Sequence, residues 1–219
     1  TEFTSMANQK SYYELGKGTT TYHPFSVAKR SKVQFDITSI GKKHEKVGVY
    51  IEKNVNGRWK KVGYSTTVKP DKYDSIVLYG LEAGKYRLAL KTPKDQIINV
   101  EYTRDKSKKK AAYKKSKAIN LKSDIDSIYT STEKAAHWYK VSVSSTKKRK
   151  AVTLSKDSVG GGFKFRVYQK GKRLKTVRVT KNDKVKTVKL PKKKGTYYVK
   201  VTKLTSKTTG AYYLGTYTY

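Results

Sequence analysis

Val49-Tyr50-Ile51-Glu52-Lys53-Asn54-Val55-Asn56-Gly57-Arg58-Trp59-Lys60-Lys61-Val62 places two extended arms around Asn56-Gly57. Asn-Gly is the preferred pair where both central residues of a two-residue hairpin need positive φ, and the flanking arms are rich in β-branched and aromatic residues. The stretch reads as a β-hairpin. Phe165-Arg166-Val167-Tyr168-Gln169-Lys170-Gly171-Lys172-Arg173-Leu174-Lys175-Thr176-Val177 repeats it around another glycine turn, so internal repetition governs everything else in the chain.

Two further matches keep the same order. Gly80-Leu81-Glu82-Ala83-Gly84-Lys85-Tyr86-Arg87-Leu88-Ala89-Leu90-Lys91 parallels Leu190-Pro191-Lys192-Lys193-Lys194-Gly195-Thr196-Tyr197-Tyr198-Val199-Lys200-Val201, a glycine turn feeding a Tyr-led strand each time. His23-Pro24-Phe25-Ser26-Val27 aligns loosely with His137-Trp138-Tyr139-Lys140-Val141. Period-2 alternation fills the space between them: Val33, Phe35 and Ile37; Val47, Val49 and Ile51; Tyr86, Leu88 and Leu90; Ile98, Val100 and Tyr102; then Tyr139, Val141 and Val143; Phe163, Phe165 and Val167; Tyr197, Val199 and Val201; and Tyr213, Gly215, Tyr217 and Tyr219. Each set is expected to face a core from one side of a sheet. Helical periodicity is weak, and only the lysine-rich Lys106 to Lys117 stretch could hold a helix, against its own like charges.

The expected fold is therefore all-β, two tandem antiparallel jelly-roll-like β-sandwich domains, at 1–104 and 117–219, with Asp105 to Ser116 as a basic linker. No helices exist to make parallel crossovers.

The second module resembles the bacterial pre-peptidase C-terminal domains, jelly-roll sandwiches appended to secreted proteases and other exported proteins. The resemblance is carried by Ile119-Asn120-Leu121, the polar Ser123 to Thr132 stretch, His137-Trp138-Tyr139-Lys140-Val141, Phe165-Arg166-Val167-Tyr168, Leu190-Pro191, Gly195-Thr196-Tyr197-Tyr198-Val199-Lys200-Val201 and Gly210-Ala211-Tyr212-Tyr213-Leu214. In the first module Gly84-Lys85-Tyr86-Arg87-Leu88 is the clearest counterpart. Members of that family usually carry Asp just before the aromatic pair; here His137 stands there. The resemblance implies an accessory module without chemistry of its own, with carbohydrate- and collagen-binding relatives.

Charge narrows the function. The 219 residues carry 51 Lys+Arg against 16 Asp+Glu, net +35, a balance that points to polyanionic partners or surfaces. Residues 1–105 hold 19 basic and 11 acidic side chains, whereas 106–219 hold 32 and 5. Most of the field belongs to the second module. Lys172, Arg173, Lys175 and Arg178 on its hairpin, with Lys184, Lys186 and Lys189 on the next strand, are the candidate polyanion-binding residues, and Lys192 to Lys194 fill the following turn. The competing reading is solubility and lysine-blocked sheet edges.

Catalysis is disfavoured. The chain has no Cys and no Gly-x-Ser-x-Gly elbow, and His23, His44 and His137 have no recognisable acid partners in sequence. His44 reads as part of a solvated loop; His23 and His137 read as covers of a sandwich edge. Asp124, Asp126 and Glu133, and separately Asp71 and Asp74, are the nearest acid groupings and do not form a calcium loop, so no metal and no cofactor is expected. Gly16-Lys17-Gly18-Thr19-Thr20 lacks the glycine spacing of a phosphate-cradling loop and, like Gly160-Gly161-Gly162, reads as a turn. Exposed tyrosines, at Tyr12-Tyr13 or Tyr212-Tyr213, could present rings to sugars or a protein.

No apolar run reaches the ~20 residues of a membrane span, and the chain opens at Thr1-Glu2-Phe3, which fits removal of a leader. The expectation is a non-catalytic, secreted or cell-surface bacterial binding or adhesion module contacting anionic envelope polymers, glycans or host matrix. The alternative is a structural spacer in an exported protein, and nucleic-acid binding ranks below both because no DNA- or RNA-binding motif is present.

Overall fold

The computed structural model describes residues 5–70, 75–107 and 111–219. The chain divides into two compact units, Thr1–Ser107 and Lys108–Tyr219. The first contains β1 (Lys10–Leu15), β2 (Thr20–Val27), β3 (Ser31–Ile40), β4 (Val47–Val55), β5 (Arg58–Val68), β6 (Ser75–Leu81), β7 (Gly84–Lys91) and β8 (Ile97–Lys106). Its two four-stranded sheets run β1-β8-β3-β6 and β2-β7-β4-β5. The second contains a 3-10 turn (Lys115–Lys117), β9 (Ile119–Asn120), β10 (Ile125–Tyr129), β11 (His137–Val143), β12 (Lys150–Ser158), β13 (Phe163–Gln169), β14 (Lys172–Val179), β15 (Val185–Lys189), β16 (Gly195–Lys203) and β17 (Gly210–Thr218). Its sheets run β10-β17-β12-β15 and β14-β13-β16-β11-β9. Set side by side, the orders are the same, strand for strand, apart from the added β9. Both units are antiparallel jelly-roll-like sandwiches.

The one parallel contact also recurs. β9 pairs in parallel with β11 through Ile119 and Tyr139, and Met6 makes a parallel bridge to Phe25 of β2. Each places an incoming segment along the edge of the same sheet.

The core follows the alternation. Val33, Phe35 and Ile37 are fully buried, as are Phe163, Phe165, Val199 and Val201. Phe25 stacks on Tyr86 with centroids 5.4 Å apart, and Phe163 packs against Tyr212 at 5.3 Å. Tyr86 and Tyr197 fix the entry to β7 and β16 identically: each hydroxyl donates to the carbonyl four residues upstream, Glu82 and Lys193, at 2.8 Å. Asn56-Gly57 and Lys170-Gly171 both have positive φ at the two central positions, 52° and 78°, then 47° and 75°. The hairpin twist demands that geometry.

Three expectations need correction. On β17 it is Tyr212 and Leu214 that are buried, while Tyr213, Tyr217 and Tyr219 are exposed. A Tyr-Tyr doublet has no parity of its own; Leu214 opposite Leu154 decides which member turns inward. His23 lies opposite Leu88, two residues past Tyr86, but His137 lies opposite Val201, four past Tyr197, so the two histidines are not equivalent positions. The linker is narrower than 105–116, because Asp105 and Lys106 pair with Lys32 and Ser31 inside β8 and β3, and Ala111 and Ala112 are buried in the second unit. In the Lys106 to Lys117 stretch the helical content among the described residues is the single 3-10 turn, and residues 108–110 lie outside them.

Candidate polyanion-binding face

In β13 the sequence Phe-Lys-Phe-Arg-Val-Tyr-Gln alternates buried Phe163, Phe165, Val167 and Gln169 with outward Lys164, Arg166 and Tyr168. β16 does the same with Tyr198, Lys200 and Thr202 outward. Sheet order then sets the neighbours. Lys164 lies directly opposite Arg178 of β14, and Arg166 directly opposite Lys200 of β16. Two like-charge cross-strand pairs thus stand in neighbouring rows of one face.

Each such pair costs a few tenths to about 1 kcal/mol relative to a neutral one. Among the described residues no carboxylate pairs with any of the four cations. The Arg166 Nε is buried without a hydrogen-bond partner. The Lys164 ammonium is held below its ordinary 10.5, first by partial burial and then by the charges of Arg166, Arg178 and Lys200. Trp138 borders the group, with the Lys200 ammonium 5.4 Å above its ring and Tyr168 5.9 Å away.

The residues singled out from sequence separate in space. Arg173 and Arg178 share the outward parity of Tyr168 and Lys164, their partners on β13, and belong to this face. Lys172 begins β14 opposite Gln169, and Lys175 lies opposite inward-facing Val167 at the open edge. Lys186 and Lys189 are on β15, the edge strand of the other sheet. Lys175 and Lys189 line opposite sides of a shallow groove of about 430 Å³ between the two edges, floored by Val167, Leu174, Val188 and Leu190. Lys184 precedes β15 in an exposed turn. Lys186 is engaged by Asp183 at 3.1 Å. That carboxylate, which also accepts from the Thr180 N–H and hydroxyl at 2.8 Å, is drawn down to about 2, mainly by the Thr180 bonds.

Lys164, Arg166 and Lys200 escaped sequence reading. Their alternation was visible, but nothing in the sequence says that β16 lies beside β13, and only that adjacency opposes Arg166 to Lys200.

Two of the three histidines are buried, His137 on β11 and His23 on β2, the edge strand of its sheet. His23 pairs with Glu14 at 2.5 Å between largely buried side chains. His137 is fully buried, stacked at 3.8 Å on Tyr129, with Nδ1 2.8 Å from the Tyr212 hydroxyl. His44 is half-buried in the loop before β4, with Nδ1 3.2 Å from the Pro70 carbonyl. Glu133 accepts from the Thr130 N–H at 2.6 Å and the Tyr113 hydroxyl at 2.7 Å. Among the described residues no three metal-ligating side chains cluster; Asp71 and Asp74 lie outside them. In the Gly16-Lys17-Gly18 turn both glycine N–H groups donate to backbone carbonyls, of Gln96 and Thr92, so neither is available to a phosphate. Among the described residues no helix is long and apolar enough to cross a membrane.

No protein-family model matches the chain, and no curated protein matches it. Solved structures similar to it include tripeptidyl peptidase 2, with 10% identity and a TM-score of 0.35 over 99% of this chain. The chain spans 24% of that protein's length. Another is the CBM22-1–CBM22-2 tandem domain of Xyn10C from Paenibacillus barcinonensis, with 10% identity and a TM-score of 0.32, covering 95% of this chain and 86% of that one. At such scores the fold assignment stands on the strand pairing alone.

Proposed function

We propose that the chain is a non-catalytic, extracellular bacterial binding module whose second sandwich attracts anionic polymers of the cell envelope or a host surface through the outer face of β14-β13-β16. The observation that carries this is the double opposition of Arg178 to Lys164 and Arg166 to Lys200. Folding places like charges face to face at a cost, and such local rule-breaking is concentrated where function requires it. A bound sulfate, phosphate or carboxylate chain supplies the missing counter-charge. Arg173, opposite Tyr168, extends the same face beyond the quartet. The excess of Lys over Arg in the chain suits diffuse, multivalent attraction over bidentate recognition. The pre-peptidase C-terminal resemblance supports an accessory role without catalysis.

The test is binding of the full chain to heparin, a teichoic acid and single-stranded DNA across a salt series, with the double variant Arg166→Gln/Lys200→Gln beside it. Tight binding to one polymer, with a log–log salt slope reduced by roughly one to two in the variant, supports the face as the site. Weak, equal binding to all three, unchanged in the variant, would return the charge to solubility and favour a spacer role.

A further inference from the structure

The first unit presents a different surface at the same sheet positions. Counted from the equivalent Tyr86 and Tyr197, the row Trp138–Lys200–Arg166 corresponds to Tyr22–Ala89–Tyr50. Where the second unit has a lysine, the first has a methyl group. The Tyr22 and Tyr50 hydroxyls meet over buried Ala89, 3.3 Å apart.

In the next row Arg87 lies opposite Glu52, Nε to Oε2 2.5 Å. Its guanidinium stands between two rings, 3.9 Å from the centroid of Tyr22 and 4.5 Å from that of Trp59. Tyr22 remains 43% and Trp59 37% exposed. The stack is therefore pre-ordered: the arginine holds one side of each ring and Glu52 holds the arginine. Neither side chain has to be immobilised when a ligand arrives, which removes a large part of the usual entropic cost.

Ring area, paired hydroxyls and an internally neutralised ion pair define the ligand. It must offer flat C–H surface to the rings and hydroxyl groups to their polar edges; charge adds little, because Arg87 is paired with Glu52, and Lys61, opposite Glu52, lies over the Tyr50 ring at 4.5 Å and donates to the Ser65 hydroxyl at 2.9 Å. We infer that the outer face of β2-β7-β4-β5, centred on Tyr22, Arg87 and Trp59, binds an uncharged glycan chain through its pyranose rings. A single-stranded nucleic acid could also stack, but its phosphates find the central guanidinium already held by Glu52. This site is independent of the cationic face of the second unit.

The experiment uses the full chain at about 0.5 M sodium chloride, where the Debye length falls to about 4 Å and attraction to polyanions is silenced. Neutral hexasaccharides of β-1,4-linked glucose, xylose, mannose and N-acetylglucosamine, and an oligothymidylate, are titrated by calorimetry and by tryptophan fluorescence. Binding of one of the saccharides is expected, weakened roughly tenfold or more by Trp59→Ala and by Tyr22→Ala and largely retained by Trp59→Phe. Thermal melts establish that each variant is folded. Absence of binding to every saccharide, binding indifferent to both alanine variants, or binding of oligothymidylate alone would overturn the inference. Because polyanion attraction is screened out, none of these results bears on the second unit's face.

Discussion

Lys164 lies at the centre of the proposed face, and its charge is opposed from several sides. Its ammonium titrates below 10.5 in the folded chain because burial and three cations oppose its charge. The unfolded chain therefore holds the proton more tightly, and Lys164 weakens the fold when charged; that penalty fades as pH rises through its folded value toward 10.5. A bound polyanion reverses the imbalance and pulls the value up. Binding at a pH between the folded value and 10.5 is thus expected to take up protons, and affinity is expected to fall as pH rises further. Calorimetric titration in two buffers of different ionisation enthalpy checks this: equal apparent enthalpies would show that Lys164 does not sense the ligand. Tyr79 gives a contrasting case in the first unit. Its hydroxyl is buried and, among the described residues, has no hydrogen-bond partner, and burial alone pushes it well above its ordinary range. Tyr79→Phe removes an unmet desolvation cost, so urea unfolding is expected to show unchanged stability or a gain of up to about 1 kcal/mol. A loss above that would reveal a partner for the hydroxyl.

Strands and hairpins explain what the sequence could and could not disclose. Val33-Gln34-Phe35-Asp36-Ile37 is unambiguous because only one parity is apolar, and both hairpins announce themselves through a glycine that the turn geometry requires. Tyr212-Tyr213 defeats the same logic, since either parity satisfies the pattern until Leu154 is known to lie opposite Leu214. Pairing across strands is the missing quantity in each failure. It also hid the candidate face: Lys172 to Arg178 drew notice as a local cluster, whereas the opposed pairs depend on β16, which is distant in sequence. Lys186 shows the converse. It belonged to the same run of charge, but Asp183 of its own turn engages it and its strand belongs to the other sheet. The segment before β9 is a further element that composition disguised as linker. Ala112 accepts the Trp138 N–H at 2.8 Å, Ala111 and Ala112 are buried, and the Tyr113 hydroxyl reaches Glu133 at 2.7 Å. Deleting it exposes apolar surface and leaves the Trp138 N–H without the Ala112 carbonyl. A fragment of residues 108–219 is expected to unfold cooperatively, whereas one of residues 117–219 should be less stable by about 2–3 kcal/mol. Equal denaturation midpoints would return those residues to the linker.

Across the molecule, one topology appears twice and its corresponding outer faces have taken different chemistry. The first unit's is aromatic around an arginine paired with Glu52; the second's is cationic and, among the described residues, without a paired carboxylate in its quartet. If both proposed sites bind, they act at a high effective concentration toward a polymer that satisfies both, provided it can reach both. A glycan with alternating neutral and acidic stretches is the kind of ligand on which the two readings converge.

The opposed cations of β13, β14 and β16 also bear on how long the protein lasts. A domain that carries unrelieved repulsion opens more often when empty than when a counter-charged chain lies across it, and in the proposed extracellular setting proteases cut what opens. Copies seated on their polymer would outlive copies adrift, so the population that persists at a surface would be sorted by turnover as well as by affinity.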